Sequence, residues 1–289
     1  MIKKKLVWGF DLGGTQMRCA LVEDTIVKSR IFRCSTQRNR PAKDIVNDIL
    51  KLIRSAEQET GVKNCPLGIG VPTSVTDGCL DPCKNLPTMP NYPLAQKLSE
   101  QLERPIILEN DAACFALGEY SRIIDKDGKI LLTFTLGTSV GLGIVINGNI
   151  FKGAWGQAGE IWRSPASIID KPENNSIIDR YLSGQSLEKL YEKISGKAIS
   201  GKELHQEAEL HNPYALQCFN EYGTYLAQLL CQVVNILDPH IIIFGGSVST
   251  DFDFFSPAFL QFPLLKKIHI RKTEIGDAAP LLGSAYLFN

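Results

Sequence analysis

The first apolar and polar positions of the chain predict two strands joined by a tight turn. Residues 7–23 begin and end with short runs of β-branched, aromatic and other apolar residues, which are typical of strands. The break between the runs contains Gly13, Gly14 and Thr15. Glycines at such a break supply the positive φ that a two-strand reversal needs. We therefore expect a hairpin at the start of the chain.

The same pattern returns at residues 131–147, where residues 135–139 correspond to residues 11–15 and Gly137 and Thr138 lie at the break. A glycine turn bounded by threonine and serine hydroxyls exposes consecutive backbone N–H groups, which is the local chemistry of a phosphate-binding loop. Two such turns suggest two lobes that face one polyphosphate. The alternative, that each is an ordinary hairpin, stays open on this pattern alone.

Between and after the two hairpins, apolar periodicity predicts alternating strands and helices. Residues 76–92 are rich in Pro, Gly, Asp and Asn and predict a loop. The alternation indicates an α/β chain with open sheets, in which ligands bind beyond the carboxyl ends of the strands. The predicted strands are Ile26–Cys34, Leu67–Val71, Ile106–Leu108 and Ile241–Phe244, and the main predicted helices are 41–60, 94–102, 112–121, 187–194 and 216–237.

Length and charge narrow the picture further. A chain of 289 residues fits two domains, and we place the boundary near the charged turn at 125–128, giving domains 1–122 and 123–277. With 31 basic and 31 acidic residues there is no net field to attract nucleic acid or a membrane surface. We expect a protein that binds small molecules.

Location is predicted from the start of the chain and from its cysteines. The first apolar run stops at Asp11, too early for a signal peptide, and no window approaches the length of a membrane span. The eight cysteines are scattered and are typical of reduced cytosolic thiols. The sequence therefore predicts a cytoplasmic protein.

Three carboxylates are candidates for chemistry. Phosphoryl transfer needs a carboxylate that holds a metal ion and a base that takes a proton from the attacking hydroxyl. Asp11, beside the first glycine turn, suits magnesium, and Asp111, at the end of another strand, suits the base. Glu160 lies in a glycine-dense loop with no helix to cap, which favours a ligand role.

Asp111 has a competing structural interpretation. Asn and Asp before an apolar helical run are common N-caps. An aspartate whose oxygens accept helix N–H groups has a lowered pKa and is a poorer base. Asn110 as the cap would leave Asp111 available for chemistry. The sequence leaves both alternatives open.

Five motifs in this order resemble the ROK family of sugar kinases, repressors and open reading frames. The resemblance spans nearly the whole chain. The motifs are Asp11-Leu12-Gly13-Gly14-Thr15, Glu109-Asn110-Asp111-Ala112-Ala113, Thr135-Leu136-Gly137-Thr138, Gly153-Ala154-Trp155-Gly156-Gln157-Ala158-Gly159-Glu160-Ile161 and Phe244-Gly245-Gly246.

The resemblance implies the actin-like ATPase (ribonuclease H-like) fold: two α/β lobes with duplicated mixed sheets flanked by helices, the active site in the cleft, and a final helix over 278–289 that returns to the first lobe. It implies a kinase that uses ATP and Mg²⁺ to phosphorylate a hexose hydroxyl, usually the 6-OH, and that is a homodimer. Asp111 would be the base. The implied ligands of the ATP phosphates and magnesium are Asp11, Gly13, Gly14, Thr15, Gly137 and Thr138; those of adenosine are Gly245 and Gly246; those of the sugar are Asn85, Asn110, Asp111 and Glu160.

The chain departs from the family at two places. Trp162 and Arg163 follow Glu160-Ile161 where the family has Gly-His, and the zinc-binding cysteines that follow in the family are missing. We therefore expect no structural zinc. Asp179 aligns with a further sugar-binding Glu and is one methylene shorter. Arg163 either contacts the sugar or pairs with a surface carboxylate, and the sequence does not reveal which hexose is used.

The resemblance allows two functions other than that of a kinase. The repressors carry a DNA-reading helix-turn-helix ahead of the first glycine turn, and a turn that begins at Asp11 leaves no room for one, so we expect no nucleic-acid partner. The alternative from another class is a sugar-sensing protein that has lost turnover. The presence of both Asp11 and Asp111 favours the kinase, because a sensor needs neither a metal carboxylate nor a base.

Overall fold

A computed structural model describes residues 5–123, 128–169 and 176–289. These fold into two compact units: the first contains the described residues of 1–127, 148–157 and 277–289, and the second those of 128–147 and 158–276. The domain ranges drawn from the sequence differ from these units at residue 123, at residues 148–157 and at residue 277, all of which belong to the first unit. Most of the charged turn that was expected at the boundary, residues 125–127, lies outside the described residues.

Among the described residues, the first unit contains nine strands and four helices, the last of which is also the last helix of the chain. Its strands are β1 (Leu6–Leu12), β2 (Gln16–Glu23), β3 (Ile26–Val27), β4 (Phe32–Ser35), β5 (Leu67–Val71), β6 (Val75–Thr76), β7 (Cys79–Leu80), β8 (Ile106–Asn110) and β11 (Asn149–Ile150). Its helices are α1 (Ala42–Thr60), α2 (Leu94–Leu102), α3 (Asp111–Ser121) and α9 (Ala278–Tyr286).

The second unit has its own set of elements. Its strands are β9 (Ile130–Leu136), β10 (Val140–Ile146), β12 (Ile241–Gly245) and β13 (His269–Lys272). Its helices are α4 (Asp179–Leu182), α5 (Gly184–Ser195), α6 (Gly201–Glu209), α7 (Pro213–Leu237) and α8 (Phe252–Phe255).

The two units repeat one strand arrangement. In the first, the order is β3-β2-β1-β5-β8, with β4 also on β2; β1 and β2 are antiparallel, and β1, β5 and β8 are parallel. In the second, β10, β9, β12 and β13 follow one another, with β10 antiparallel to β9 and the others parallel. Because parallel strands end at one edge of a sheet, each unit brings its strand ends together there.

The apolar periods of the sequence correspond to the helix faces that pack on these sheets. On α1 the residues at helical spacing, Ile45, Ile49 and Ile53, are fully buried, and the helix ends at Gly61 with a φ of 72°. On α7 the same spacing buries Phe219 and Leu226. Both predicted helices are confirmed. Within the described residues, each helix is too short or too polar to cross a membrane.

Three local predictions need correction. The strand expected at 26–34 is two short strands, β3 and β4, since Ser29 accepts a hydrogen bond from the amide of Leu21 and interrupts the ladder. The loop expected at 76–92 contains the β6–β7 hairpin, for which Asp77-Gly78 was an available turn signal. Helix α6 was not predicted, although Ser200 and Glu203 form a capping box at its start.

Helix α9 packs against the first sheet and α3 with backbone atoms in direct contact. A Cβ at Gly9 of β1 would lie 2.0 Å from the carbonyl oxygen of Leu281, and one at Gly68 of β5 would lie 1.8 Å from that of Ser284. A Cβ at Gly118 of α3 would lie 1.9 Å from the carbonyl oxygen of Ala279. These glycines are therefore required by close approach, and α9 is an integral part of the first unit.

We predict that Gly118→Ala destabilises the protein by about 2 kcal/mol or more, because the added methyl has no room against the α9 backbone. The matched control is Gly201→Ala at the start of α6, where the closest contact of a Cβ outside its own helix would be an oxygen of Glu188, at 3.5 Å. The control should stay within about 1 kcal/mol of the parent. Urea unfolding measures both, and equal stability of the two variants would contradict the packing argument.

Candidate active site

Thr36, the residue that follows β4, holds the turn between β1 and β2. The amide of Gly13 donates to the carbonyl oxygen of Gln16 at 3.0 Å, which closes the turn. The buried Thr36 donates its hydroxyl to the carbonyl oxygen of Gly13 at 2.6 Å and its amide to that of Thr15 at 2.9 Å. Among the described residues, the amides of Gly14 and Thr15 donate to no backbone carbonyl. These two N–H groups are therefore available to an anion.

The reason for glycine in the turns is not the one the sequence suggested. The prediction that these glycines supply positive φ is wrong, because Gly13, Gly14 and Gly137 all lie outside the left-handed region. Crowding explains the first two: a Cβ at Gly13 would lie 2.8 Å from the carbonyl oxygen of Gln16, and one at Gly14 would lie 2.8 Å from that of Asn85. Asn85, predicted from the resemblance, therefore lies directly against the first turn.

Asp11 is buried and paired with an arginine that the sequence analysis missed. Arg18 faces Asp11 across the β1–β2 ladder, and its Nε donates to Asp11 Oδ2 at 3.1 Å while Nη2 donates to the same oxygen. Nη1 of Arg18 lies 2.5 Å from Asp277 Oδ1. Burial raises the pKa of Asp11, and the guanidinium opposes that rise. The strand pairing itself could have identified this cross-strand neighbour.

The parallel strands bring Asp11 and Asp111 to the same edge of the first unit. In the strand register Gly70 of β5 lies between Asp11 of β1 and Glu109 of β8. A Cβ at Gly70 would lie 3.6 Å from the Cα of Asp111. Burial raises the pKa of the neighbouring Cys114 thiol well above its usual value, and the negative charges of Glu109, Asp111 and Asp11 raise it further. The three carboxylates therefore disfavour the charged form of this buried thiol.

The structure separates the roles of Asn110 and Asp111 at the start of α3. Asn110 is the N-cap, since its Oδ1 accepts a hydrogen bond from the amide of Ala113 at 3.1 Å. Asp111 is the first helical residue and accepts from the amide of Ala112 through Oδ1 at 2.7 Å. Asn110 therefore makes the N-cap hydrogen bond, and Asp111 also accepts a first-turn amide through one of its oxygens.

Glu109 fixes the chain just before this cap. The side chain is buried, its Oε1 accepts from the amide of Asn110 at 2.9 Å, and its Oε2 lies 2.5 Å from the ammonium of Lys152. Lys152 follows β11 and was not identified from the sequence, because nothing in its local pattern distinguishes it from a surface lysine. The pair orients the backbone that carries Asn110 and Asp111.

We predict that Asn110→Ala lowers the free energy of unfolding by about 1 kcal/mol, because it leaves an amide of the first turn of α3 without its acceptor. Asn110→Asp keeps a side-chain acceptor and serves as the matched control, with a smaller loss. The check is urea unfolding of both variants. A loss of equal size in the two would show that the cap bond is not the stabilising interaction.

The turn between β9 and β10 in the second unit is held by a following segment. The amide of Gly137 donates to the carbonyl oxygen of Ser139 at 3.2 Å, and the carbonyl oxygen of Gly137 accepts from the amide of Gly184 at 2.7 Å. Oδ1 of Asp179 accepts from the Ser139 hydroxyl at 2.6 Å and from the amide of Val140 at 3.0 Å. Thr138, at the tip, is exposed.

Gly245 and Gly246 lie beside this second turn. Gly245 ends β12 opposite Thr135 of β9. Gly246 has a φ of 83°, and a Cβ there would lie 2.3 Å from the carbonyl oxygen of Leu136. Both the conformation and the space therefore require glycine at this position. The second unit thus gathers the predicted residues of β9 and β12 at the carboxyl ends of its parallel strands.

Glu160 is the half-buried carboxylate of the glycine-dense loop. Its side chain does not cap the short 3-10 turn Ile161–Arg163 that follows, and its Oε2 accepts from the indole Nε1 of Trp162 at 2.6 Å. Gly159 has a φ of 90°, and a Cβ there would lie 2.1 Å from the carbonyl oxygen of Leu142, which fixes the loop against β10. Trp162, one of the departures from the family pattern, therefore orients Glu160. Arg163 is exposed.

The expected absence of zinc stays a prediction. Over residues 5–123, 128–169 and 176–289, no three His, Cys, Asp or Glu side chains are grouped so as to hold a metal ion. All eight cysteines are unbridged.

Comparison with known proteins places these features in context. The sequence model of the ROK family matches residues 7–289. The N-acetyl-D-glucosamine kinase of Histophilus somni (strain 129Pt) is 31% identical over 307 residues, which cover 98% of this chain and 99% of that protein.

Solved structures with the same fold include the ROK hexokinase from Thermus thermophilus, with a TM-score of 0.83 and 24% identity over 98% of each chain. Another is a ROK family glucokinase from Streptomyces griseus in complex with glucose and AMPPNP, with a TM-score of 0.82 and 24% identity over 98% of each chain. The predicted actin-like ATPase fold class is confirmed by these similarities.

Proposed function

The chain belongs to the ROK family, and we propose that it is a sugar kinase that transfers the γ-phosphate of ATP to a hexose hydroxyl, with Asp111 as the general base. The observation that supports the proposal is the strand register of the first unit, which brings Asp11 and Asp111 to the carboxyl ends of the parallel strands β1 and β8. The turn with the available amides of Gly14 and Thr15 follows the first of these strands. ATP, as its magnesium complex, is the phosphoryl donor.

The first unit offers groups that fit the phosphates and the metal. The amides of Gly14 and Thr15 would donate to phosphate oxygens. Gly13 and Gly14 let the turn that carries these amides lie close to Gln16 and Asn85. Asp11 supplies the hard oxygen ligand that Mg²⁺ prefers. When bound, the ion neutralises charge on the transferred phosphoryl group. Arg18 holds Asp11 Oδ2, so Oδ1 is the oxygen that we assign to the magnesium or its water.

The second unit offers groups that fit the phosphates and the adenosine. Gly137 and Thr138 would bind phosphate oxygens at the β9–β10 turn. Gly245 and Gly246 would approach the adenosine at the end of β12. The support for these roles is that the four residues lie at the ends of adjacent parallel strands, where α/β sheets bind ligands.

For the sugar, we propose Asn85, Asn110 and Asp111 from the first unit and Glu160 from the second. Asn110 uses its Oδ1 as a helix cap, so its amide nitrogen is the group that would donate to a sugar oxygen. Glu160 is held by Trp162 through one oxygen and would accept from a sugar hydroxyl with its carboxylate.

In the proposed reaction Asp111 takes the proton of the attacking hydroxyl, which we assign as the 6-OH. The hydrogen bond from the amide of Ala112 fixes the carboxylate at the start of α3. Asn110 carries the N-cap hydrogen bond at the start of α3. The proposal also keeps the expectations of a cytoplasmic location and a homodimer.

The experiment that tests the function is coupled release of ADP from magnesium-ATP across a hexose panel. N-acetyl-D-glucosamine comes first, because the relative from Histophilus somni is named for it, followed by glucose, fructose, mannose, allose and N-acetylmannosamine. Turnover of at least one sugar is expected. Silence on all of them, with sugar binding still detected by calorimetry, would favour the sugar-sensing alternative.

We predict that Asp111→Asn lowers kcat by about 10²-fold to 10⁴-fold, as expected when a general base is removed. The asparagine Oδ1 still accepts from the amide of Ala112, so the fold and the sugar affinity should be retained. Steady-state kinetics and calorimetric sugar titration give the two readouts. Activity near that of the parent would reassign Asp111 to a structural role.

A further inference from the structure

Asp179 has contacts that its expected role as a sugar ligand does not explain. Its Oδ1 accepts two hydrogen bonds from consecutive residues of the β9–β10 turn, the hydroxyl of Ser139 at 2.6 Å and the amide of Val140 at 3.0 Å. A carboxylate oxygen accepts about two such bonds in its plane. The acceptor capacity of Oδ1 is thus committed to the turn, where it fixes both a side chain and the first amide of β10.

The segment around Asp179 grips the same turn at a second point. Residues 179–184, the clamp segment, end at the start of α5, where the amide of Gly184 donates to the carbonyl oxygen of Gly137 at 2.7 Å. A Cβ at Gly184 would lie 3.2 Å from that oxygen, so the contact is close. The clamp segment therefore holds the turn on both sides of Thr138, by a side chain on one and by a backbone amide on the other.

The clamp segment is itself anchored in the core of the second unit. The hydroxyl of Tyr222, a fully buried residue of α7, donates to the carbonyl oxygen of Leu182 at 2.9 Å. The hydroxyl of Ser186 donates to the carbonyl oxygen of Asp179 at 2.9 Å. Leu182 is fully buried. Movement of the clamp segment would break these bonds, so its position relative to the turn is fixed by packing.

We propose that Asp179 is a positioning residue for the phosphate-binding turn, acting through Ser139 and Val140. The inference rests on the proposed function, because its kinetic consequence requires that Gly137 and Thr138 bind the ATP phosphates. Sites of phosphoryl transfer tolerate displacements of only a fraction of an ångström. Loss of the Asp179 bonds therefore weakens the binding of ATP.

Substitution with a kinetic split tests this role. Asp179→Ala removes the acceptor and should raise KM for ATP about tenfold. Asp179→Asn keeps an Oδ1 acceptor and should restore KM for ATP to within about threefold. The control, Asp253→Ala, removes an exposed aspartate of the same unit that pairs with Lys272, and should change neither constant.

The opposite split would overturn the proposal. If Asp179→Ala and Asp179→Asn both raise KM for the sugar about tenfold and leave KM for ATP unchanged, Asp179 is a sugar ligand. Ser139→Ala removes one of the two donors and should reproduce part of the rise in KM for ATP. An unchanged KM for ATP in both Asp179→Ala and Ser139→Ala also refutes the positioning role.

A second measurement does not depend on catalysis. Hydrogen exchange of the Val140 amide, followed by NMR, should be faster in Asp179→Ala and close to the parent in Asp179→Asn, because only the alanine removes the acceptor. Unchanged exchange in the alanine variant would refute the positioning role even in an active kinase. If exchange changes as expected but the parent binds no ATP and phosphorylates no sugar, the proposed function fails while the structural role of Asp179 stands.

Discussion

Close approach of backbone to backbone, at positions that carry no Cβ, is the constraint on which each unit depends. In the first unit, Gly9 and Gly68 let α9 lie against β1 and β5. β1 carries Asp11, and β5 lies between β1 and β8, the strand that precedes Asp111. The packing of the last helix of the chain therefore sets the positions of residues far away in sequence. In the second unit, Gly246 lets the end of β12 lie against the end of β9.

The candidate site is built on this framework by polar side chains that orient other groups. Glu109 orients the backbone of Asn110, and Arg18 neutralises the buried Asp11. Neutralisation matters because an isolated carboxylate in a buried position would favour its protonated form, which is a poor metal ligand. Trp162 orients Glu160 by a similar single bond. The chemistry proposed for the carboxylates therefore depends on partners that never contact the reacting atoms.

Much of the fold followed from local pattern. The repeated strand-turn-strand segments and the helical periods of α1 and α7 are determined by residues close together in sequence, and they were predicted correctly. Predictions that depended on the three-dimensional surroundings of a residue were less accurate. The glycines of the first turn are required by crowding against Gln16 and Asn85 and not by positive φ, and Asn85 lies far along the chain from that turn.

The sequence by itself determined the α/β pattern, the two glycine turns and the candidate carboxylates, because apolar spacing and turn residues act over a few positions. Only the tertiary structure decided that Asn110 caps α3, that Arg18 pairs with Asp11 and that Asp179 binds the turn after β9. A carboxylate or amide has the same local signature whether it caps, pairs or binds a ligand. The choice depends on which donors the folded chain brings within about 3 Å, and strand pairing and packing set those distances.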